Sequence, residues 1–223
     1  KGRIWGCNDE YISAPRLDDI QCAYSSLMAY IKALGEISDD YDKVNVCCVF
    51  NNEEVGSTTM QGADSTFLSD VLERISIAYG LDREKYMMAI ASSYMVSADN
   101  AHAVHPNHTD KADLTNRPYM NEGIVVKSHA GQKYTSDAVS VAVFKDLCKK
   151  ANVPVQFFAN RSDEAGGSTL GNIAMAQVSM NSVDIGLPQL AMHSTYETAG
   201  IKDTYYMIQV MTEFFNSHIS EVN

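Results

Sequence analysis

Helix-type and strand-type apolar patterns alternate along this chain, and that alternation limits the folds open to it. Apolar side chains recur at helical spacing in residues 17–34, 65–79, 136–150 and 203–215. Short apolar runs of strand type lie between and after these segments, at 44–50, 87–96, 123–127, 155–158, 183–185 and 190–192. Strands that alternate with helices predict an α/β fold with a mixed, mostly parallel central sheet and helices on both of its faces.

Charge and cysteine usage narrow the class of protein. The 223 residues carry a formal net charge of −11 at pH 7, whereas nucleic-acid binding needs clustered Lys and Arg. No run of eighteen apolar residues occurs, and the N-terminal segment lacks the apolar core of a signal peptide. The five cysteines contain no C-x-x-C pair, which indicates a reducing compartment. We therefore expect a cytoplasmic protein that binds neither nucleic acid nor membrane.

Acidic side chains and one histidine fall where predicted strands end or helices begin. Asp18 opens the first helix, Glu53 and Glu54 follow the first strand, and Asp99 and His193 follow later strands. Functional side chains of open α/β sheets collect at strand ends, and carboxylates with imidazole bind zinc, manganese or cobalt. Each residue also has a plainer interpretation: a helix cap for Asp18, solvated surface for the glutamates, a turn cap for Asp99 and a hydrogen-bonded core histidine for His193.

The adjacent pair Glu53-Glu54 is the most informative of these groups. Consecutive residues that leave a strand point to opposite sides. One carboxylate can therefore bind a metal ion while its neighbour takes a proton from an activated water molecule. This division of labour is typical of a hydrolase that uses metal-activated water.

Three histidines, His102, His105 and His108, recur at a spacing of three residues. On a helix they would share one face and could resemble a metal site. Pro106 interrupts such a helix, so we do not expect the three imidazoles to bind one ion together.

Six stretches of the chain, taken in order, resemble one known family, the M18 (aspartyl aminopeptidase) metallopeptidases. They are SAPRLDDIQCAY (13–24), NNEEVGSTTMQGADS (51–65), SADNAHAVHPNH (97–108), NEGIVVKSHAGQKYTSD (121–137), GGSTLGNI (166–173) and VDIGLPQLAMHSTYETAG (183–200). The resemblance covers nearly the whole chain. It implies a zinc-exopeptidase-like α/β fold in which residues 1–223 form the C-terminal part of the catalytic domain.

The resemblance also implies, position by position, what seven residues do. Four match metal ligands of the family: Asp18, which bridges two ions, and Glu54, Asp99 and His193. Three match residues that act on the peptide: Glu53 as general base, Lys127 as partner of an acidic substrate side chain, and Tyr134 near the scissile carbonyl. A lysine there would favour Asp or Glu at the substrate N-terminus, and a phenol could stabilise a developing oxyanion.

The function implied by the resemblance is the removal of N-terminal, acidic residues from peptides. The expected cofactors are two divalent ions, zinc first and manganese or cobalt as alternatives, and the expected assembly is a homo-oligomer, often a dodecamer in this family. Asn51-Asn52 stands where many members have Asp-His, and Tyr196 stands where some have Arg. Two alternatives therefore stay open: a two-metal aminopeptidase of broad or neutral specificity, and a non-catalytic subunit built on a peptidase scaffold.

Members of the M18 family are much longer than this chain. They begin with a segment that carries a further metal-binding histidine in a His-x-Asp motif, followed by an inserted dimerisation domain. His108-Thr109-Asp110 has that form but lies in a downstream stretch, so it does not match the motif. We expect the chain to be a fragment, or to be completed by a second chain.

Overall fold

Nine strands and six α-helices make up the part of the chain that the computed structural model describes, residues 1–38, 41–164 and 166–219. The strands are β1 Arg3–Trp5, β2 Tyr11–Ala14, β3 Tyr94–Ala98, β4 Ala101–His102, β5 Ile124–Ser128, β6 Val155–Ala159, β7 Asn181–Gly186, β8 Pro188–Leu190 and β9 Glu197–Gly200. The helices are α1 Leu17–Leu34, α2 Phe67–Ala78, α3 Arg83–Ala91, α4 Ala138–Lys150, α5 Leu170–Gln177 and α6 Ile201–Asn216.

The strands form two sheets. In the four-stranded sheet, ordered β3-β7-β5-β6, the pairs β3·β7 and β5·β6 are parallel and β5·β7 is antiparallel. The five-stranded sheet, ordered β1-β2-β9-β8-β4, is antiparallel except for the pair β4·β8. The predicted α/β class with a mixed, mostly parallel sheet is confirmed by the first sheet. The second, mostly antiparallel sheet is not part of that prediction.

Helices cover both faces of the four-stranded sheet, as the alternating side chains of β7 show. Val183 and Ile185 lie in the apolar core that α1, α4 and α6 share. Ser182 and Asp184 point to the opposite face, because successive side chains of a strand alternate. A Cβ atom at Gly171 of α5 would lie 2.5 Å from an Asp184 carboxylate oxygen, so α5 packs closely against that opposite face.

The apolar core holds β5 and β7 against the layer formed by α1, α4 and α6. Burial of each large apolar side chain contributes about 1.5–3 kcal/mol to folding. The fully buried members include Ile124, Val126, Phe144, Val183, Ile185, Met207 and Val210.

The apolar run at 44–50, predicted as a strand, forms no strand. A strand needs a neighbouring backbone to take its hydrogen bonds, and no described residue pairs with this run. Strand β3 is also unpaired on one side, since its partner is β7 alone among the described strands. A cleft of about 1030 Å³ lies between the run and β3, and apolar side chains such as Val46, Val49 and Val96 line it.

The predicted strand at 87–96 is wrong over its first half, where the chain forms α3. The Asp82 side chain accepts a hydrogen bond from the Lys85 N–H and caps this helix. Helix α3 continues to Ala91, and β3 begins at Tyr94. Apolar content does not separate a short helix from a strand, and the cap was the decisive signal.

Helix α1 has the bounds that the sequence predicts, but the face that is buried is not the one that carries its large apolar side chains. The large apolar side chains on which the prediction rests are exposed: Ile20, Tyr24, Leu27 and Ile31. Small or polar side chains pack inward instead: Gln21, Cys22, Ser25, Ala29 and Ala33. Close approach of α6 requires small residues on the inner face of α1, and leaves an apolar stripe on the outer face.

Two predicted boundaries shift by a few residues. The strand predicted at 190–192 shares only Leu190 with β8, because β8 runs from Pro188 to Leu190 and Ala191 has a left-handed backbone (φ 58°) that leaves the strand. Helix α6 begins at Ile201, so Asp203 lies inside its first turn and is not its cap. The buried Asp203 carboxylate instead accepts the backbone N–H groups of Asn121 and Gly123, at 2.6 and 3.0 Å.

None of the helices in the described ranges combines the length and hydropathy that a bilayer-crossing segment requires. All five cysteines are free thiols. Free thiols are compatible with the predicted reducing, cytoplasmic compartment, which stays a prediction.

Candidate metal centre

The predicted metal ligands come from four separate parts of the chain. Asp18 lies in the first turn of α1, where its backbone is not helical (φ −83°, ψ 110°). Glu54 lies in a single turn of 3-10 helix, Glu53–Val55, that follows the run at 44–50. Asp99 directly follows β3, and His193, with a left-handed φ of 66°, follows β8.

Three of these residues form the first candidate ligand group. Asp18, Glu54 and His193 each offer a ligand atom, and these atoms lie within 4.8 Å of one another. His193 Nε2 is 3.2 Å from Asp18 Oδ2 and 3.0 Å from Glu54 Oε2. One imidazole with two carboxylates is a ligand set that zinc accepts.

A second candidate group lies beside the first and shares Asp18 with it. It consists of Asp18, Asp19 and Asp99, whose ligand atoms again lie within 4.8 Å of one another. All three are partly buried. Asp19 is absent from the predicted ligands, although the adjacent Asp18-Asp19 pair at the start of α1 was a visible signal.

The electrostatics of these carboxylates fit a bound cation. Burial, and next the Asp99 and Glu54 carboxylates, raise the pKa of Asp18 to about 8. Burial, and next Asp99, raise the pKa of Asp19 well above its usual range. Asp19 Oδ1 is buried and has no hydrogen-bond partner among the described residues. Carboxylates this close repel one another unless they share a proton or a cation, and their oxygens are ligands that divalent metal ions accept.

Glu53 lies beside both groups without belonging to either. Burial raises the pKa of its carboxyl to about 7, with further upward contributions from Asp99 and Glu54, while Lys127 and His193 oppose the rise. A partly buried carboxyl next to a candidate metal site, but outside its ligand groups, is placed to exchange protons.

Lys127, on β5, lies at the inner wall of the centre. Its side chain is 3% exposed, and its Nζ donates to Asp99 Oδ2 at 3.3 Å and to the Asn100 carbonyl at 2.9 Å. Burial alone would lower the pKa of Lys127, but Asp99 and Asp184 raise it overall. The ammonium lies 5.6 Å from the centre of the Tyr134 ring. The structure therefore places Lys127 beside Asp99 and Tyr134 beside Lys127, and the predicted roles of both residues in substrate binding stay predictions.

The three histidines at 102–108 do not lie together in either ligand group. The His105 and His108 rings are tilted by 42° relative to each other, with their centres 5.1 Å apart. Burial lowers the pKa of His102, and the charges of Lys127 and His193 lower it further. His102 therefore interacts electrostatically with residues of the centre. Sequence patterns did not predict that His102 lies near the candidate metal centre.

Residues 1–215 match one family model, that of the aminopeptidase I zinc metalloproteases (M18). This chain belongs to the M18 family. The resemblance carried by the six sequence stretches is thereby confirmed. The description of the family supports zinc as the metal of its members.

The M18 chain is similar to curated relatives over nearly all of its length. It is 49% identical over 216 residues to the probable M18 family aminopeptidase 2 of Clostridium acetobutylicum. This alignment covers 97% of this chain and 49% of that protein. It is 37% identical over 218 residues to aspartyl aminopeptidase 1 of Schizosaccharomyces pombe. This alignment covers 97% of this chain and 46% of that protein. The chain thus spans about half the length of the curated relatives that it matches.

The fold of the M18 chain is also found in solved structures. The Saccharomyces cerevisiae mApe1 dodecamer superposes on all of this chain with a TM-score of 0.89 at 29% identity. The matched region is 49% of the mApe1 chain. The architecture described above is therefore shared with about half of the mApe1 chain.

Proposed function

We propose that this chain carries the catalytic centre of an aminopeptidase that holds two divalent ions and removes N-terminal residues, acidic ones first, from peptides. One observation carries the proposal: Asp18 belongs to two adjacent ligand groups, and Glu53 lies beside both of them. A shared carboxylate with a free acid–base group beside it is what hydrolysis by a two-metal site requires.

The chain's own residues divide between the two proposed ion positions. Asp18, Glu54 and His193 would hold one ion, and Asp18 with Asp99 would hold the other, with Asp19 as a further neighbour. Zinc is the first candidate because the family is described as one of zinc metalloproteases. Manganese and cobalt accept the same mixture of oxygen and nitrogen ligands.

Glu53 moves the proton in the proposed reaction. When bound, the ions would supply Lewis-acid activation of a water molecule and of the peptide carbonyl. Glu53 accepts a proton from the water molecule as the water oxygen attacks the carbonyl carbon. Glu53 then donates that proton to the leaving amine as the C–N bond breaks. Partial burial, the largest cause of the raised pKa of Glu53, supports this role because a desolvated carboxyl holds a proton more readily.

Lys127 and Tyr134 supply the proposed substrate contacts. The Lys127 ammonium would attract an acidic side chain at the substrate N-terminus, and the Tyr134 hydroxyl would stabilise negative charge on the carbonyl oxygen. One observation favours a second candidate, an aminopeptidase of broad or neutral specificity. The Lys127 charge is buried and already bonded to Asp99, which reduces its attraction for a second carboxylate.

We further propose that residues 1–223 form the C-terminal part of the catalytic domain. The chain spans about half of its relatives, and the run at 44–50 lacks a strand partner within the described residues. A further ligand for the ion beside Asp99 would then come from another segment of the subunit or from a second chain. A homo-oligomer is also proposed, because the similar S. cerevisiae mApe1 forms a dodecamer.

The variant Glu53→Gln tests the proposed function in the full-length, zinc-loaded protein. We expect the turnover of amino-acid anilides to fall by about 100-fold or more, because general-base catalysis contributes at least that much. Zinc content measured by elemental analysis should stay at the wild-type level, because Glu53 is in neither ligand group.

The control is Glu73→Gln, which changes a glutamate of α2 that pairs with Arg83 at the surface. It should retain full activity. Equal activity of Glu53→Gln and the wild type would rule out Glu53 as the base. A wild type that binds zinc but hydrolyses no anilide or peptide would favour the non-catalytic subunit.

A further inference from the structure

We propose that Glu197 is a positioning residue of the metal centre, which fixes Asp18 and His193 relative to each other through their backbone amides. The inference rests on the proposed function in one respect, namely that these two residues hold an ion. Glu197 is not among the predicted ligands and belongs to neither ligand group.

The Glu197 carboxylate bonds two distant segments at once. The side chain is buried, at 2% exposure. Its Oε2 accepts the N–H of Asp18 at 3.0 Å, and its Oε1 accepts the N–H of His193 at 2.8 Å. Each oxygen therefore holds the main chain of one candidate ligand, 179 and 4 residues away in sequence.

The position of β9 in its sheet explains how one side chain reaches both segments. Strand β9 lies between β2 and β8, and Glu197 is its first residue. Strand β2 pairs Ala14 with Glu197 and then leads into the turn that carries Asp18. Strand β8 ends at Leu190 and leads to His193. The carboxylate stands between the ends of its two neighbouring strands, where both ligands emerge.

Neither ligand residue is held by regular secondary structure. Asp18 has non-helical dihedral angles within the first turn of α1, and Arg16 before it has a left-handed backbone. His193 has a φ of 66°, a conformation that non-glycine residues seldom adopt. The two N–H groups therefore lie outside helix and strand ladders, and each donates to Glu197. A turn bond from the Ser194 N–H to the Ala191 carbonyl also restrains the backbone around His193.

The chemistry of the side chain is specific to a carboxylate. Both partners are N–H donors, and a carboxylate offers two acceptor oxygens, whereas glutamine offers one oxygen and one NH₂ donor. Hydrogen bonds to an ionised acceptor are also stronger than neutral ones. In Glu197→Gln one of the two backbone N–H groups would face another donor, so one ligand would lose its anchor.

A buried carboxylate could instead act on the stability of the fold alone, and Asp203 provides the matched control. Asp203 is also fully buried and also accepts two backbone N–H groups, those of Asn121 and Gly123. It bonds to neither candidate ligand segment. Glu197→Gln and Asp203→Asn are thus equivalent changes at the same type of site, and only the first acts on the metal centre.

The test measures zinc affinity in the full-length protein by competition with a chelator, together with the thermal midpoint of the metal-free form. We expect Glu197→Gln to weaken zinc binding by about 10- to 100-fold, the usual cost of losing a group that orients a metal ligand. Asp203→Asn should lower the thermal midpoint but leave zinc affinity within about twofold of the wild type, because its partners hold no metal ligand.

Glu197→Asp is the second variant, for the case that Glu197→Gln does not fold. It keeps the charge but shortens the reach by one methylene, so we expect an intermediate zinc affinity. Wild-type zinc affinity in a folded Glu197 variant, or an equal loss in Asp203→Asn, overturns the proposal. A wild type that binds zinc without hydrolysing peptides contradicts the proposed function alone, and a wild type that binds no zinc contradicts both.

Discussion

At the scale of single residues, Lys127 introduces one positive charge among the carboxylates of the centre. Its ammonium bonds Oδ2 of Asp99, and a carboxylate has a second oxygen with which to bind an ion. The same ammonium is the group assigned to an acidic substrate side chain. If the proposed role of Lys127 holds, substrate specificity depends on how far Asp99 already satisfies that charge.

The substrate preference of the full-length protein measures how much of the Lys127 charge is available to an acidic substrate. If Lys127 attracts acidic side chains, Asp- and Glu-anilides should exceed Leu-anilide in kcat/KM by about tenfold or more, equivalent to about 1.4 kcal/mol. Lys127→Met should reduce this ratio. The ratio is informative because a general loss of activity affects all three substrates alike.

Lys133→Met is the matched control, since Lys133 follows β5 and its Nζ donates to the Gly166 carbonyl at the protein surface. It should leave the preference unchanged. A wild-type preference for Leu-anilide would contradict the acidic specificity and favour the neutral one.

At the scale of elements, sequence patterns predicted what depends on short-range chemistry. The bounds of α1 follow from its helical spacing, and β5 and β6 follow from short apolar runs with a proline before β6. The run at 44–50 is apolar like these strands but pairs with none of the described residues, which composition cannot reveal. The sequence also does not tell which face of α1 is buried, because that depends on how closely α6 approaches.

The candidate site was predictable to a similar degree. Asp18, Glu54 and His193 were proposed together from family motifs, and the structure brings their ligand atoms together. Sequence patterns missed both Asp19 and Glu197. Asp19 looked like part of a helix start, and Glu197 looked like an ordinary strand residue. Their importance depends on distances across the fold, which no local pattern records.

Helix α5 provides an element-scale prediction through Gly171. Replacing a helical glycine by alanine normally stabilises a helix by about 1 kcal/mol. At Gly171, however, the new Cβ atom would lie 2.5 Å from Asp184 Oδ1 and 2.7 Å from Ser97 Oγ. We expect Gly171→Ala to lower the free energy of unfolding in urea by about 1–3 kcal/mol, as overpacking does.

Gly35→Ala is the control for that measurement. Gly35 ends α1 with a right-handed backbone, and a Cβ atom there would meet the Lys32 carbonyl at an ordinary 3.5 Å. Its unfolding free energy should change by less than about 0.5 kcal/mol. A Gly171→Ala variant that is as stable as the wild type would show that α5 does not pack tightly on β7.

At the scale of the whole molecule, the chain presents apolar surface that a folded monomer normally covers. The cleft of about 1030 Å³ separates the run at 44–50 from the edge of β3 that pairs with no described strand. The exposed apolar stripe of α1 adds to this surface. Unpaired strand edges and large apolar patches promote association with other chains.

We predict that the 223-residue chain produced alone self-associates and does not unfold as a cooperative monomer. Val49→Lys should reduce self-association in light scattering, because Val49 is exposed at the cleft and a lysine there opposes edge pairing. Val55→Lys is the control, since Val55 is exposed outside the cleft. A monomeric, cooperative thermal transition of the wild-type chain would contradict this prediction.

The double membership of Asp18 has a thermodynamic consequence for the proposed two-ion centre. One carboxylate serves both positions, so the free energies with which the two ions bind are linked rather than independent. The first ion orders Asp18 for the second, and it also adds a positive charge that the second must overcome. Linkage is reciprocal, so a substitution that weakens either position changes the occupancy of both. The occupancies of the two positions would therefore be coupled, and a change at one position would appear in the titration of the other.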